Sequence, residues 1–333
     1  MSQDAGVAFV RGALVSPAAY ELLLKGRVLL WRRGRAIIES RVCLERSVAL
    51  DPSYPEALGL LAECYRLHGH YGLAQLSEMM PLARATAERA LKIDVDQEQA
   101  QATLANLAAT YEWDRAKATR IYMTLLARHP NCVPALCERA IWLSMMPSPQ
   151  IEPEQGFAWL QRALTADPLN AWAYGMQSLA YLLVEKLEDA LATARRAVEL
   201  DANNFAAQWT LVMALAALKR PVEAISAATN ALPMSGRHTW LLAEIAAAHA
   251  ALGDAAAAQV IHVELQQRSE VSHVGWAERA AVAASAGYID EARAWAQKAF
   301  DARDLFLLSW KITAFAVLRA DADCNRIVRL AGA

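Results

Sequence analysis

The sequence predicts an all-α fold made of consecutive helix pairs, and three regularities of the chain indicate it. Small residues return every 34 positions in a ladder formed by Ala190, Ala224, Ala258 and Ala292. A second ladder of mostly small positions, seven residues later, comprises Ala163, Ala197, Ala231, Leu265 and Ala299. The same interval separates Gly253 from Gly287. A period of about 34 residues is that of a two-helix repeat, and two positions seven apart lie on one helix face. The expected architecture is therefore an α-solenoid.

The predicted helices follow in order from Pro17, where AAYELLLKGRVLLW has the apolar spacing of an amphipathic helix. Its partner is expected at about 35–50, and the next pair opens with PEALGLLAECYRLHG at 55–69. Asp114 is predicted to cap a helix that begins at Arg115. Equivalent turns recur at Asp51, Asp94, His129, Asp167, Asp201 and Ser235. No strand-like alternation is recognised, so about eight helix pairs are expected, the first and last being irregular caps.

Domain boundaries follow from the spacing of these turns. Residues 1–16 are predicted to be a poorly patterned lead-in, and 17–333 a single repeat domain. The interval from Asp51 to Asp94 is 43 residues and that from His129 to Asp167 is 38. Because both exceed 34, insertions are predicted near 68–80 and 145–155. Insertions in such arrays fall in turns, usually on one face.

Composition narrows the classes of partner and compartment. The net charge of −2 and pI near 6.4 lack the basic stripe of a nucleic-acid-binding protein, so no nucleic-acid partner is expected. No apolar run approaches the roughly 18–20 residues of a membrane span, and the start MSQDAGVAFVRG has no signal-peptide pattern. Five scattered cysteines are typical of reduced, buried thiols. A cytoplasmic protein without a membrane partner is predicted.

The repeats resemble tetratricopeptide units, best at 186–231, where small positions precede ELDANN and the helix FAAQWTLVMALAAL. This resemblance spans about 18–320 and implies a right-handed α-solenoid of about eight tetratricopeptide-like helix pairs, used as a recognition scaffold. AYELLLKGR, ATYEWDRAKA, EARAWAQKAFDARD and FAVLRADADCNRIVRLAG are similar to a narrower subtype. That subtype lies behind bacterial adenylate/guanylate cyclase domains, winged-helix transcriptional regulators and some Ser/Thr kinases. Since no such domain is recognised here, the chain is either a detached region or a stand-alone relative acting in trans.

Three tryptophans are the main candidates for partner binding. In tetratricopeptide stacks the first helix of each pair lines a concave groove, and by this resemblance Trp172, Trp209 and Trp240 point into it. Leu179 and Met213 fall one turn further along the same face. Tryptophan is enriched in binding hot spots. An aromatic floor for a peptide, a partner helix or an apolar ligand is predicted, with packing between helices as the alternative.

The equivalent groove positions nearer the N-terminus are polar. They are Glu56, Glu63, Gln99 and Asn106. The two glutamates favour a basic or neutral partner, and ordinary solvated surface is the alternative for each residue. Asn106 resembles the asparagine of tetratricopeptide domains that grip a C-terminal carboxylate. The Lys and Arg positions of that clamp hold Glu, Cys137 and Ile141 here, so a clamp is not expected.

No motif for catalysis, metal or cofactor is recognised. Histidines never occur at the i, i+4 spacing of a helical zinc site, and no glycine-rich phosphate loop is present. The sequence therefore predicts a non-catalytic, cofactor-free interaction scaffold that binds a protein or peptide in its concave groove. One alternative is a sensor that binds a small-molecule effector and controls a signalling or transcriptional partner. The other is an enzyme with a non-local site in the groove. Homodimerisation stays open.

Overall fold

The computed structural model describes residues 8–10, 13–145, 153–304, 306–307 and 312–330. Within these residues the chain forms eighteen α-helices in consecutive pairs, so the predicted fold class is confirmed. The first nine are α1 (Pro17–Arg32), α2 (Ala36–Leu50), α3 (Pro55–His70), α4 (Leu76–Ile93), α5 (Glu98–Thr110), α6 (Arg115–Arg128), α7 (Val133–Met145), α8 (Pro153–Ala166) and α9 (Ala171–Leu183). The others are α10 (Leu187–Leu200), α11 (Phe205–Ala217), α12 (Pro221–Ser235), α13 (Thr239–Ala251), α14 (Ala255–Val271), α15 (Trp276–Ser285), α16 (Ile289–Asp301), α17 (Ala316–Ala320) and α18 (Ala322–Leu330).

A short antiparallel hairpin precedes the helices. Strand β1 (Ala8–Val10) pairs with β2 (Ala13–Val15), with Phe9 opposite Leu14. The structure thus places two short strands in the lead-in, where no strand-like alternation is recognised in the sequence. The runs AFV and ALV flank Arg-Gly, and two apolar runs around a two-residue connection with glycine are a hairpin signal. Each run is too short for its alternation to stand out in the sequence.

The chain forms two compact units. The first comprises residues 1–69 and 77–130, and the second comprises 70–76 and 131–333. The predicted insertion at 68–80 is therefore divided between the two units. Residues 70–76 belong to the second unit, and residues 68–69 and 77–80 belong to the first. Of the insertion near 145–155, residues 146–152 lie outside the described residues. The single repeat domain at 17–333 stays a prediction.

Four turns within helix pairs contain, at equivalent positions, a residue with a left-handed backbone conformation. The φ angles are 61° at Glu185, 58° at Lys219, 77° at Gly253 and 90° at Gly287, with 34 residues between neighbours. Ala190, Ala224, Ala258 and Ala292, five residues after each turn position, are all buried. The second helix of each of these four pairs therefore starts at the same distance from its turn, and its ladder alanine is buried at an equivalent place.

Side-chain caps fix the starts of several helices. The Asp114 side chain accepts a hydrogen bond from the backbone N–H of Lys117 at 2.9 Å, so the predicted cap of α6 is confirmed. Asn170 and Asn204 cap α9 and α11 in the same way. Such caps satisfy backbone donors that the first helical turn leaves unpaired. Among the described helices, none is long and apolar enough to span a membrane.

Candidate functional site

Two of the three candidate tryptophans meet inside the second unit. The rings of Trp209 on α11 and Trp240 on α13 lie 4.6 Å apart, centroid to centroid. Trp172 lies at the start of α9. The exposed fractions of Trp172, Trp209 and Trp240 are 5%, 4% and 3%. The expectation of an exposed aromatic floor is therefore wrong for this structure, and a role of these residues in partner binding stays a prediction.

Two rings from distant parts of the chain stack on the Trp240 ring. Tyr71, from segment 70–76, stacks on it at 4.8 Å between centroids and 21° between planes. Phe306 stacks on it at 5.0 Å and 8°. Aromatic pairs contribute about 0.5–1.5 kcal/mol beyond the burial of their area. Tyr71 and Phe306 are themselves buried, so the Trp240 indole is enclosed rather than presented to solvent.

The ring of Tyr71 lies against Phe205, His238 and Trp240, and Trp209 and Phe306 pack on the Trp240 ring; these five residues are called the aromatic cradle here. Besides the stack on Trp240, edge contacts join Tyr71 to Phe205 at 5.6 Å and to His238 at 5.7 Å. The cradle therefore holds one aromatic side chain of the chain's own segment 70–76.

A buried carboxyl group, that of Glu278, forms a hydrogen bond with Trp240 of the cradle. Glu278 on α15 accepts hydrogen bonds at its Oε1 from Trp240 Nε1 and from the Thr239 hydroxyl, both at 3.1 Å. Glu278 Oε2 is buried and has no hydrogen-bond partner among the described residues. Burial, and then the charge of Asp304, raises the pKa of Glu278 to about 8. The carboxyl group is therefore mostly protonated at neutral pH, which lowers the cost of burying it.

His238 is uncharged under the same conditions. Burial, assisted by the charge of Arg268, lowers the pKa of His238 to about 3. Its Nδ1 accepts a hydrogen bond from the backbone N–H of Trp240 at 3.2 Å and so caps α13. Because His238 and Glu278 are both uncharged near pH 7, they favour an apolar or aromatic side chain in the cradle over a charged one.

Sequence reasoning missed four participants: Tyr71, Phe205, His238 and Phe306. The insertion containing Tyr71 is visible in the repeat spacing, and HGHYG shows an aromatic residue within it. No spacing rule links that residue to helices more than a hundred positions later. The contact depends on tertiary structure alone.

The two apolar residues predicted beside the tryptophans are both buried. Leu179 lies in α9 and Met213 in α11, with 3% and 1% of their surfaces exposed. Met213 lines a cavity of 250 Å³ near the C-terminal end of α11. They are therefore not part of a solvent-facing floor in this structure.

In the first unit, Glu63 and Asn106 are brought together by arginines of the same chain. Arg66 donates from Nε and Nη2 to the two Glu63 oxygens at 2.7 and 2.6 Å, and from Nη1 to Asn106 Oδ1 at 3.0 Å. Arg33 Nη1 lies 3.6 Å from Glu63 Oε1. Glu63 and Arg66 are buried. The Glu63 charge is therefore met within the chain rather than offered to a partner, and a basic or neutral partner at this end stays a prediction.

The other two polar candidates remain partly accessible. Glu56 at the start of α3 and Gln99 in α5 are half-buried. Glu56 Oε2 and Gln99 Nε2 are buried atoms without hydrogen-bond partners among the described residues. Their role in binding stays a prediction.

Comparison with known proteins gives a likeness of fold. No protein-family model and no curated protein sequence matches the chain. The human IFIT1 dimer solved with m7Gppp-AAAA is similar, with a TM-score of 0.60, 15% identity, and coverage of 88% of this chain and 73% of IFIT1. The human IFIT1 dimer with PPP-AAAA gives a TM-score of 0.52, 16% identity, and coverage of 85% and 72%. At such low identity the likeness shows the tetratricopeptide-like fold alone.

Proposed function

We propose that the protein is a non-catalytic interaction scaffold whose second unit binds a polypeptide partner by taking an aromatic side chain into the aromatic cradle. The observation that carries this proposal is Tyr71, which already sits there on a non-helical segment between α3 and α4. The cradle thus has the size and chemistry to hold a tyrosine from an irregular peptide. A partner would replace Tyr71 by presenting its own ring.

The affinity for a partner is limited by the fraction of molecules from which Tyr71 has left the cradle. A partner binds only molecules whose cradle is open, so its apparent dissociation constant equals the intrinsic one divided by the open fraction. Aromatic anchors in enclosed pockets commonly contribute about 2 kcal/mol or more to binding. The connection at residues 71–75 lies between two helices, so Tyr71 can leave the cradle without unwinding either α3 or α4. Removing its ring should therefore increase the affinity for a peptide in trans.

The first test uses the chain's own segment as the peptide. The synthetic decapeptide HGHYGLAQLS, which copies residues 68–77, is titrated into Tyr71→Ala protein and followed by calorimetry and tryptophan fluorescence. We expect saturable binding to Tyr71→Ala, and at least about tenfold weaker binding to wild type, which corresponds to about 1.4 kcal/mol of competition in cis. Tyr71→Phe is the matched control, because it keeps the ring and should behave as wild type.

Two further arms decide whether the cradle is the site. A peptide with alanine in place of the tyrosine should not bind, and adding Trp240→Phe to Tyr71→Ala should weaken binding of the parent peptide. Circular dichroism confirms that each variant is folded. If folded Tyr71→Ala shows no saturable binding at millimolar peptide, or binds both peptides equally, the cradle is not a peptide site. If the parent peptide does bind, a random peptide library selected on Tyr71→Ala should enrich a fixed aromatic position.

The proposal extends to where the protein acts and what kind of partner it controls. We propose a bacterial, cytoplasmic scaffold that acts in trans on a signalling or transcriptional partner, supported by the resemblance of ATYEWDRAKA and the C-terminal segments to regulator-linked repeats. The net charge of −2 favours a protein over a nucleic acid as that partner. A 5′-triphosphorylated adenine oligonucleotide should therefore show no saturable anisotropy change with the protein at physiological salt. Saturable binding of the oligonucleotide would indicate that the partner is a nucleic acid rather than a protein.

A further inference from the structure

A cavity separate from the aromatic cradle lies in the second unit. Its volume is 250 Å³, larger than the roughly 150 Å³ of an apolar cavity that admits benzene. It lies where the turn from α9 to α10 meets the end of α11 and residues 312–319. Its apolar wall consists of Leu182, Leu183, Leu187, Met213, Ala217 and Ile312. Such a wall suits an aliphatic chain.

The lining of this cavity also includes polar side chains and a cation. Arg319 and Thr313 line it, and Arg319 Nη1 donates to the backbone oxygen of Ile312 at 2.5 Å. The Thr313 hydroxyl donates to Glu244 Oε2 at 2.5 Å. Burial lowers the pKa of Arg319, and Glu244 opposes that shift. An arginine nevertheless stays charged at all ordinary pH values, so the cavity holds a partly desolvated positive charge.

The acid beside Arg319 does not carry a full negative charge at neutral pH. Glu244 is buried in α13, and burial raises its pKa to about 7, while its hydrogen bond from Thr313 acts in the opposite direction. Glu244 Oε1 is a buried atom with no hydrogen-bond partner among the described residues. The Glu244 charge is therefore only partly developed where Arg319 meets the cavity.

We propose that this cavity binds a small aliphatic monocarboxylate of about five to eight carbon atoms, with its carboxylate on Arg319 and its chain against Leu183 and Met213. The guanidinium is the side chain best matched to a carboxylate, and its partial burial strengthens the attraction. Glu185 lies exposed at the rim and disfavours a second negative charge on the ligand. This site goes beyond the proposed peptide recognition, because it contains none of the cradle residues.

Hexanoate is the probe, and calorimetry together with thermal unfolding is the measurement. Saturable binding should raise the unfolding temperature, since a ligand that binds only the folded state stabilises it by mass action. Hexanol lacks the charge, acetate lacks the chain and adipate adds a second carboxylate, so each should bind at least about tenfold more weakly, a difference of about 1.4 kcal/mol. Hexanol binding as tightly as hexanoate would overturn the assignment of the carboxylate to Arg319.

Two variants with a matched control locate the site. Arg319→Met should remove most hexanoate affinity, and Ala217→Phe should fill the cavity while keeping the cation. Arg326→Met, an exposed arginine on α18, is the control and should bind as wild type. If Arg319→Met fails to fold, Ala217→Phe decides alone. The proposal is overturned if wild type shows no saturable binding with hexanoate at up to 50 mM; a dissociation constant of that size corresponds to a binding free energy of about −1.8 kcal/mol. It is also overturned if the folded variants bind hexanoate as wild type does. The peptide test depends on neither Arg319 nor Ala217, so its outcome is independent of this one.

Discussion

At the scale of single residues, Glu278 should make the stability of the second unit depend on pH. Its pKa is about 8 in the folded protein, against an ordinary value of 4.5. Between these values the folded state holds a proton that the unfolded state has released. The stabilisation is therefore fully present below pH 4.5 and is lost as pH rises through about 8, with a limiting slope of about 1.4 kcal/mol per pH unit. Burial also raises the pKa of Asp304, which adds to the same trend.

Glu278→Gln should flatten this dependence. Glutamine keeps an oxygen that can accept from Trp240 and Thr239 but cannot ionise. Urea unfolding between pH 5 and 9 should show the variant losing less stability than wild type as pH rises, with a gap of about 1 kcal/mol or more by pH 8. Glu270→Gln, on the exposed face of α14, is the control. Parallel curves for wild type and Glu278→Gln would mean that this carboxyl group does not titrate in the expected window.

At the scale of elements, the tight turns within helix pairs should distinguish glycine from other residues. Lys219 has φ of 58° and Gly253, 34 positions later, has φ of 77°. A residue with a Cβ in this left-handed region costs roughly 1–2 kcal/mol, while glycine adopts it without that strain. Nothing lies within 4 Å of a Cβ built on Gly253, so its replacement is strained by backbone conformation rather than by crowding.

The reciprocal substitutions should therefore have opposite signs. Lys219→Gly should stabilise the protein by about 0.5–1 kcal/mol, and Gly253→Ala should destabilise it by about 1 kcal/mol. Denaturant unfolding of both variants at one pH measures the two changes. Ala192→Gly, at an exposed position inside α10, is a control that should destabilise, because glycine in a helix interior costs about 1 kcal/mol. Destabilisation by Lys219→Gly would show that its side chain matters more than its backbone angle.

The same elements show how far the sequence alone leads. The ladder of alanines predicts helix pairs, and the structure buries Ala190, Ala224, Ala258 and Ala292 in equivalent places. Asp114 and its cap follow from short-range chemistry. The sequence does not reveal the burial of Trp240, because its cover comes from Tyr71 and Phe306, at sequence distances that no periodicity encodes. Likewise, the polar character of Glu63 is visible in the sequence, but its compensation within the chain is not.

At the scale of the whole molecule, Tyr71 occupies an unusual place in the chain. The chain passes between the two units at 69/70, 76/77 and 130/131, so the short segment 70–76 of the second unit is flanked on both sides by the first. Compact units with their own contacts tend to open as separate cooperative units. Emptying the cradle should then speed hydrogen exchange in the second unit and leave the helices of the first unit protected.

Hydrogen exchange of Tyr71→Ala can separate these responses. Replacing a buried aromatic residue with alanine costs about 3–5 kcal/mol, so amides of α11 and α13 should exchange faster under native conditions. Amides of α1 and α2, which belong to the first unit, should keep their wild-type protection. Tyr71→Phe should leave both sets unchanged, since the stacked ring remains. If α1 and α2 lose as much protection as α13, the whole chain opens as one cooperative unit, and Tyr71 then governs global stability rather than the cradle alone.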